Sequence, residues 1–148
     1  IVEEYKCEGA EMVLVTVGSA VGTARQVIDD MQDRGYKVGL VKLKMFRPFP
    51  LEKIRKALKG RKKIAVIERD ISSGQCGIFY QEIKWAIYDK TPIYGFVGGL
   101  GGEDLTPELI EKAIMYSLEN DPPNQEAIWL GLQKEEVDDY DRRTVKVF

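Results

Sequence analysis

The side chains that most enzymes use for proton transfer and nucleophilic attack are scarce in this sequence. Its 148 residues include no histidine, which excludes serine–histidine and cysteine–histidine catalysis and histidine-ligated metals. Cys7 and Cys76 lie far apart, which argues against a zinc ribbon, an iron–sulfur site or a disulfide framework. Glu68 and Asp70 flank Arg69 with no nucleophile beside them, a pattern typical of a neutralised charge cluster. We therefore predict no catalytic residue and no metal ligand.

Hydroxyl groups and arginines follow several predicted strands, next to glycine-rich turns. Ser19 and Thr23 follow the first parallel strand, Arg47 follows the second and Arg69 follows the third. The carboxyl ends of parallel strands meet at one edge of a sheet, and a helix that begins there points free N–H groups at that edge. These four residues are therefore candidate donors to a phosphate or carboxylate. The alternative is that the glycines only allow the chain to reverse tightly.

Strand-like and helix-like segments alternate along the chain, which is typical of a parallel sheet covered by helices on both faces. Apolar runs predict parallel strands near residues 12–17, 38–43, 64–67 and 93–97. Apolar residues at helical spacing predict helices near residues 23–34, 51–58, 78–88 and 107–118. Residues 2–7 resemble a fifth strand whose following connection is too short for a crossover helix, so this strand is predicted to pair antiparallel or at an edge.

Composition and charge indicate one globular domain with a short extension. The sequence is 44% hydrophobic and 31% charged, with a net charge of −2, as in ordinary globular proteins. We assign residues 1–120 to the α/β domain and residues 121–148 to an acidic C-terminal extension, because residues 119–148 hold eight acids and four bases. No apolar run reaches the length of a membrane span and no leader pattern opens the sequence. We expect a cytoplasmic protein that binds neither membranes nor nucleic acid.

The predicted helix at residues 78–88 is apolar on more than one side. Ile78 and Trp85, seven residues apart, point in nearly the same direction and away from Ile83 on the core side. A second apolar face of this kind indicates an interface. A docked domain, another subunit or this chain's own tail around Trp129 would cover it, so Ile78, Trp85 and Trp129 are candidate interface residues.

Positive charge is concentrated in residues 42–63, which hold ten lysines and arginines against the single acid Glu52. Such a segment attracts an acidic partner or a polyphosphate when the charges share one surface. The alternative is an ordinary solvated helix face.

Four segments then resemble a known family in their order and spacing, namely Val15–Ala24, Val41–Pro50, Val66–Asp70 and Gly98–Asp104. They resemble the alpha subunit of pyruvate:ferredoxin (2-oxoacid:ferredoxin) oxidoreductases, specifically its C-terminal domain II. The resemblance covers roughly residues 5–118. It implies the fold of the transketolase C-terminal domain: a three-layer α/β/α sandwich with a five-stranded, mostly parallel sheet in the order 1-3-2-4-5 and strand 1 antiparallel.

The resemblance also implies a function for the parent enzyme. Enzymes of this family convert pyruvate and coenzyme A to acetyl-CoA and CO₂ with reduction of ferredoxin, using thiamine diphosphate, magnesium and iron–sulfur clusters. We expect this chain to bind none of these cofactors and to be inactive alone. Its expected role is to dock and align the other domains and subunits, through which ferredoxin is a partner of the whole complex.

Two other classes of protein remain as alternatives. The turn Gly18–Thr23 partly resembles the phosphate loop of flavodoxins, which would make the chain a free-standing binder of flavin or phosphate. Ala20 and Val21 stand where that loop carries hydroxyl groups. A phosphoacceptor receiver domain needs acids directly after the first parallel strand, where this chain has Gly18 and Ser19.

Overall fold

The computed structural model describes residues 1–44, 47–69, 76–99, 104–123 and 127–131, with the backbone of residues 146 and 147. Within these residues seven strands form one sheet and four helices pack on it. The strands are β1 (Val2–Tyr5), β2 (Met12–Val17), β3 (Val38–Leu43), β4 (Lys63–Glu68), β5 (Ile93–Gly98), β6 (Ile128–Leu130) and β7 (Lys146–Val147). The helices are α1 (Ala20–Asp33), α2 (Leu51–Leu58), α3 (Ile78–Ile87) and α4 (Pro107–Glu119).

The first five strands confirm the predicted order and direction. β1 pairs antiparallel with β3, whereas β3, β2, β4 and β5 are parallel neighbours in that sequence across the sheet. β2 and β3 are rich in valine and leucine and are buried along almost their whole length, as expected for central parallel strands with helices on both faces. The chain moves from β2 toward β3 on one side and from β4 toward β5 on the other. The gap between β2 and β4 is therefore the topological switch point of the sheet.

The sheet has two more strands than predicted. β6 pairs parallel with β5, placing Ile128 opposite Phe96, and β7 pairs parallel with β6. The interpretation of the apolar cluster around Trp129 as lying outside the sheet is therefore wrong. A strand of three residues is too short to show a periodicity that distinguishes it from a loop. The remainder of the predicted acidic extension lies largely outside the described residues.

The helices form the two outer layers of the sandwich. α2 and α3 cover one face of the sheet, burying Ile54 and Ile83 against Val13, and α1 and α4 cover the other, burying Ile28 and Ile110. α1 begins at Ala20, before the start predicted from its apolar spacing, so Thr23 lies inside the helix. α4 begins as predicted, with Thr106 accepting a hydrogen bond from the N–H of Leu109 and proline in the first turn.

The edge strand β1 is held by a buried lysine of β3. Lys42 is 4% exposed, and its Nζ lies 2.5 Å from Oε1 of Glu3, its direct neighbour in the antiparallel register. Lys44 Nζ lies 2.7 Å from the other oxygen of Glu3. A buried ammonium without a counter-charge is costly. The pair therefore fixes the register of an edge strand that contributes little to the core.

Glu3→Gln is expected to remove a pH-dependent contribution to the free energy of unfolding. Hydrogen bonds from Lys42 and Lys44 lower the pKa of Glu3 from 4.5 to about 2. Because the folded state favours the ionised form, this contribution is fully present above the ordinary pKa and is lost as the pH falls through about 2. In urea unfolding at a series of pH values, the midpoints of wild type and Glu3→Gln should converge over that interval. A difference between the two midpoints that does not change with pH would contradict a stabilising role of this ion pair.

Candidate functional site

A cavity opens at the carboxyl edge of the sheet, at the switch point between β2 and β4. Its volume is about 310 Å³, at the lower end of the range of ligand pockets. The end of β2, the start of α1 and the end of β4 contribute most of its wall, with one residue each from α3 and the segment before α4. The lining residues are Thr16, Val17, Gly18, Ser19, Ala20, Ile67, Glu68, Arg69, Phe79 and Leu105.

One wall of the cavity is the N-terminus of α1. No side chain caps this helix and its first turn contains no acid. Gly18 has a φ of 71°, which permits the sharp turn from strand to helix, and its carbonyl accepts the N–H of Val21 at 3.2 Å. Helix geometry leaves further first-turn N–H groups without intrahelical partners. This wall therefore carries the partial positive charge of the helix terminus without a neutralising side chain.

The cavity is also lined by a threonine whose hydroxyl is buried. Thr16 is 1% exposed, and its Oγ1 has no hydrogen-bond partner among the described residues. It lies opposite Ile67 of β4 in the parallel register, directly at the switch point. A buried hydroxyl without a partner costs about 1–3 kcal/mol. Thr16 is not among the predicted site residues, because a threonine inside a valine-rich run is also a common strand residue.

The opposite wall contains a buried carboxylate that caps α3. Glu68 is 5% exposed, and its two oxygens accept the backbone N–H groups of Phe79 and Tyr80 at 2.8 Å each. Such bonds satisfy first-turn donors and place negative charge at the positive end of the helix. Gly77 is the residue immediately before α3. A Cβ added at this position would lie 2.1 Å from Glu68 Oε2. Glu68 is thus a structural cap, and Asp70, its predicted companion, lies outside the described residues.

The structure brings together two of the four predicted anion-binding residues. Ser19 and Arg69 line the cavity. Thr23 is half-buried within α1 and does not line it. Arg47 donates two hydrogen bonds to Glu82 of α3, at 3.0 and 2.7 Å. Arg47 therefore links its loop to α3 and does not line the cavity.

The second apolar face of α3 is exposed, as its pattern indicated. Trp85 is 62% exposed and Tyr88, at the helix end, is 88% exposed, whereas Ile78 is half-buried. Trp129 is 6% exposed and belongs to the core beneath α3. It therefore neither covers Trp85 nor offers a contact surface, which corrects its inclusion among the interface residues.

The basic segment at residues 42–63 is divided between internal contacts and solvent. Lys42 pairs with Glu3, Arg61 contacts Glu4 and the carbonyl of Cys7, and Lys63 donates to the carbonyls of Ser117 and Leu118. The exposed remainder includes four lysines in and after α2, Lys53, Lys56, Lys59 and Lys62. Because α2 packs beside α3, these lysines lie in the same layer as the exposed aromatic residues.

The described residues do not fit the metal centres that the resemblance implies for the parent enzyme. Across the described part of the chain, no three histidine, cysteine, aspartate or glutamate side chains cluster as metal ligands do. Cys7 and Cys76 are buried free thiols, and two thiols fall short of the four that hold an iron–sulfur cluster. Among the helices that the structure describes, none is long and apolar enough to cross a bilayer.

These features define an open α/β domain with a cavity at its switch point and an uncovered aromatic face. The chain belongs to the family of pyruvate:ferredoxin oxidoreductase core domain II, whose model matches residues 10–110. It is 44% identical to pyruvate synthase subunit PorA of Methanothermobacter thermautotrophicus over 135 residues. It is 40% identical to subunit PorA of Thermotoga maritima over 136 residues. This confirms the family indicated by the four segments.

The chain spans about a third of the length of these curated relatives. The alignments cover 91% and 90% of this chain but 34% and 35% of the two PorA sequences. A solved 2-oxoglutarate:ferredoxin oxidoreductase from Magnetococcus marinus, with 2-oxoglutarate, coenzyme A and succinyl-CoA bound, matches 80% of this chain and 20% of its own, with a TM-score of 0.66 and 24% identity. That likeness supports the fold. None of these relatives supports the flavodoxin-like alternative.

Proposed function

We propose that this chain serves as a docking domain of a 2-oxoacid:ferredoxin oxidoreductase alpha subunit. In this role it aligns the neighbouring domains and subunits, which hold the thiamine diphosphate, magnesium and iron–sulfur clusters. The parent reaction converts a 2-oxoacid such as pyruvate, together with coenzyme A, to an acyl-CoA and CO₂ and reduces ferredoxin. Support comes from the PorA relatives, which are named as subunits of pyruvate synthase. The solved relative carries 2-oxoglutarate, so the particular 2-oxoacid is not part of the proposal.

The single observation that carries the docking role is the exposed aromatic face of α3. Trp85 and Tyr88 are, with Ile1, the large hydrophobic side chains that the described part of the chain leaves exposed, and neighbouring exposed apolar side chains mark interaction sites. Tryptophan and tyrosine are also the residues that most often dominate binding energy at protein interfaces. Glu82, which pairs with Arg47, lies about one helical turn from both Ile78 and Trp85 on α3, and this ion pair would form the polar rim. We assign this face to another part of the same oxidoreductase.

The chain alone is expected to be inactive, because its described residues place no acid–base pair, no nucleophile with an activating base and no metal ligand set in the cavity. A domain of this kind affects turnover through alignment, since small displacements of reacting groups are costly to rate. A cytoplasmic location belongs to the same proposal and agrees with the two free thiols.

Trp85→Ala is expected to weaken association with the remaining subunits by about tenfold to a hundredfold, as for a central interface tryptophan. The midpoint of thermal unfolding should change little, because the side chain is 62% exposed. Native mass spectrometry of the mixed subunits measures the fraction of chain in the complex. Trp85→Phe should retain most of the affinity.

The matched control is Lys112→Ala, an exposed residue of α4 on the opposite face of the sheet. It should leave association unchanged. Equal affinity of wild type and Trp85→Ala would show that α3 does not carry the contact and would contradict the proposed docking face.

A further inference from the structure

We propose that the cavity between β2 and β4 binds an oxyanion, the phosphate or carboxylate group of a ligand or of a neighbouring chain. The binding groups are the first-turn N–H groups of α1, the hydroxyls of Ser19 and Thr16, and the guanidinium of Arg69. This inference does not depend on the docking role, because it concerns the carboxyl edge of the sheet and not the exposed face of α3.

The N-terminus of α1 carries no neutralising group from its own cap or first turn. This helix has 14 residues, and neither a capping side chain nor a first-turn acid compensates its N-terminus. By contrast, α3 receives the carboxylate of Glu68 and α4 receives the hydroxyl of Thr106 and an acid in its first turn. α1 therefore lacks the negative group that its terminus attracts.

The buried hydroxyl of Thr16 points independently to a ligand. It is 1% exposed, lines this cavity and has no partner within the described part of the chain. Nearly all buried hydroxyl groups in folded proteins make a hydrogen bond. A bound oxyanion would accept one from Thr16, which accounts for a polar side chain at a strand position where valine fits equally well.

The charges at the cavity favour an anion over a cation. Arg69 is exposed at its rim, and no described residue forms an ion pair with its guanidinium. The one carboxylate in the wall is that of Glu68. Each of its two oxygens already accepts a backbone N–H group of α3, which disfavours Glu68 as a cation ligand. An arginine fork beside a helix terminus is a common setting for phosphate and carboxylate groups.

The test is a titration of the 148-residue chain with inorganic phosphate, and separately with acetate, at constant ionic strength. Two-dimensional ¹H–¹⁵N NMR reports which backbone amides respond. We expect saturable shifts at Ser19, Ala20 and Gly22. Arg69→Gln should weaken binding about tenfold, whereas Lys112→Gln on α4 should leave it unchanged.

Thr16→Val separates a binding role from a structural one. The two side chains have nearly the same shape, so the variant should weaken anion binding several-fold while raising the thermal midpoint of the free chain, because it removes a buried hydroxyl without a partner. A purely structural hydroxyl bond would instead lower that midpoint and leave binding unchanged, and this result would overturn the proposal.

The same titrations show whether the cavity binds an oxyanion specifically and which kind of oxyanion it binds. Absence of shifts in the first turn of α1, or equal weakening by Arg69→Gln and Lys112→Gln, would overturn the proposal, because only non-specific charge attraction would remain. Binding of phosphate alone would support a phosphorylated small ligand. Comparable binding of acetate would support a carboxylate supplied by a neighbouring chain.

Discussion

Gly77→Ala is expected to destabilise the chain by about 3–5 kcal/mol, the sum of overpacking and two buried hydrogen bonds lost. A Cβ at this position would lie 2.1 Å from Oε2 and 2.3 Å from Cδ of Glu68. The carboxylate cannot move aside freely, because it is buried and accepts the N–H groups of Phe79 and Tyr80. The substitution therefore forces the cap away from α3 or separates the helix from β4.

Urea unfolding of a double-mutant cycle with Glu68→Asp isolates this contact. The aspartate side chain is shorter by one methylene group, so Gly77→Ala should cost less than half as much in that background. Gly22→Ala is the matched control, since a Cβ there meets nothing within 4 Å and alanine favours the helix by about 1 kcal/mol. Equal costs of Gly77→Ala in both backgrounds would contradict the cap.

Gly39→Ala is expected to cost about 2–3 kcal/mol by overpacking. A Cβ on this β3 residue would lie 2.8 Å from Cα of Cys7 and 2.9 Å from the carbonyl oxygen of Lys6. Both are backbone atoms of the segment after β1, so no side-chain rotation relieves the clash. The segment must move, which weakens the Cys7 Sγ contact with the carbonyl of Leu40 and loosens β1.

Amide hydrogen exchange together with urea unfolding tests this second prediction. Protection should fall mainly in β1 and its partner β3, while β4 and β5 keep theirs. Combining Gly39→Ala with Cys7→Ala should restore little stability, because the smaller side chain leaves Cα in place. Full recovery in the double variant would show that the contact is with the thiol and would contradict the backbone clash.

The topology could be predicted because its signals are local and repeated. Buried parallel strands such as β2 and β3 are continuous apolar runs, and α1 and α4 show their periodicity and the cap at Thr106. Once strands and helices alternate, right-handed connections leave few possible arrangements. The order of the first five strands follows from this, together with the family resemblance.

The details of the site depend on contacts that no local pattern contains. Glu68 caps a helix that begins ten residues later, and the orphaned hydroxyl of Thr16 is visible only once its neighbours are placed. Arg47 and Arg69 follow strands in the same way, yet Glu82 pairs with Arg47. Trp129 is buried because β6 adds to the sheet edge, a pairing between segments distant in sequence.

The proposed role is that this chain contributes to turnover by docking and holds no catalytic centre of its own. The most direct measurement is 2-oxoacid-dependent reduction of ferredoxin by the chain alone, by the rest of the oxidoreductase alone, including the rest of the alpha subunit, and by the two mixed together. We expect turnover in the mixture and none from the chain alone. When the chain is added at a limiting concentration, the Trp85→Ala variant should give less turnover than wild type. Turnover by the isolated chain, or full activity of the rest of the oxidoreductase without it, would contradict the claim.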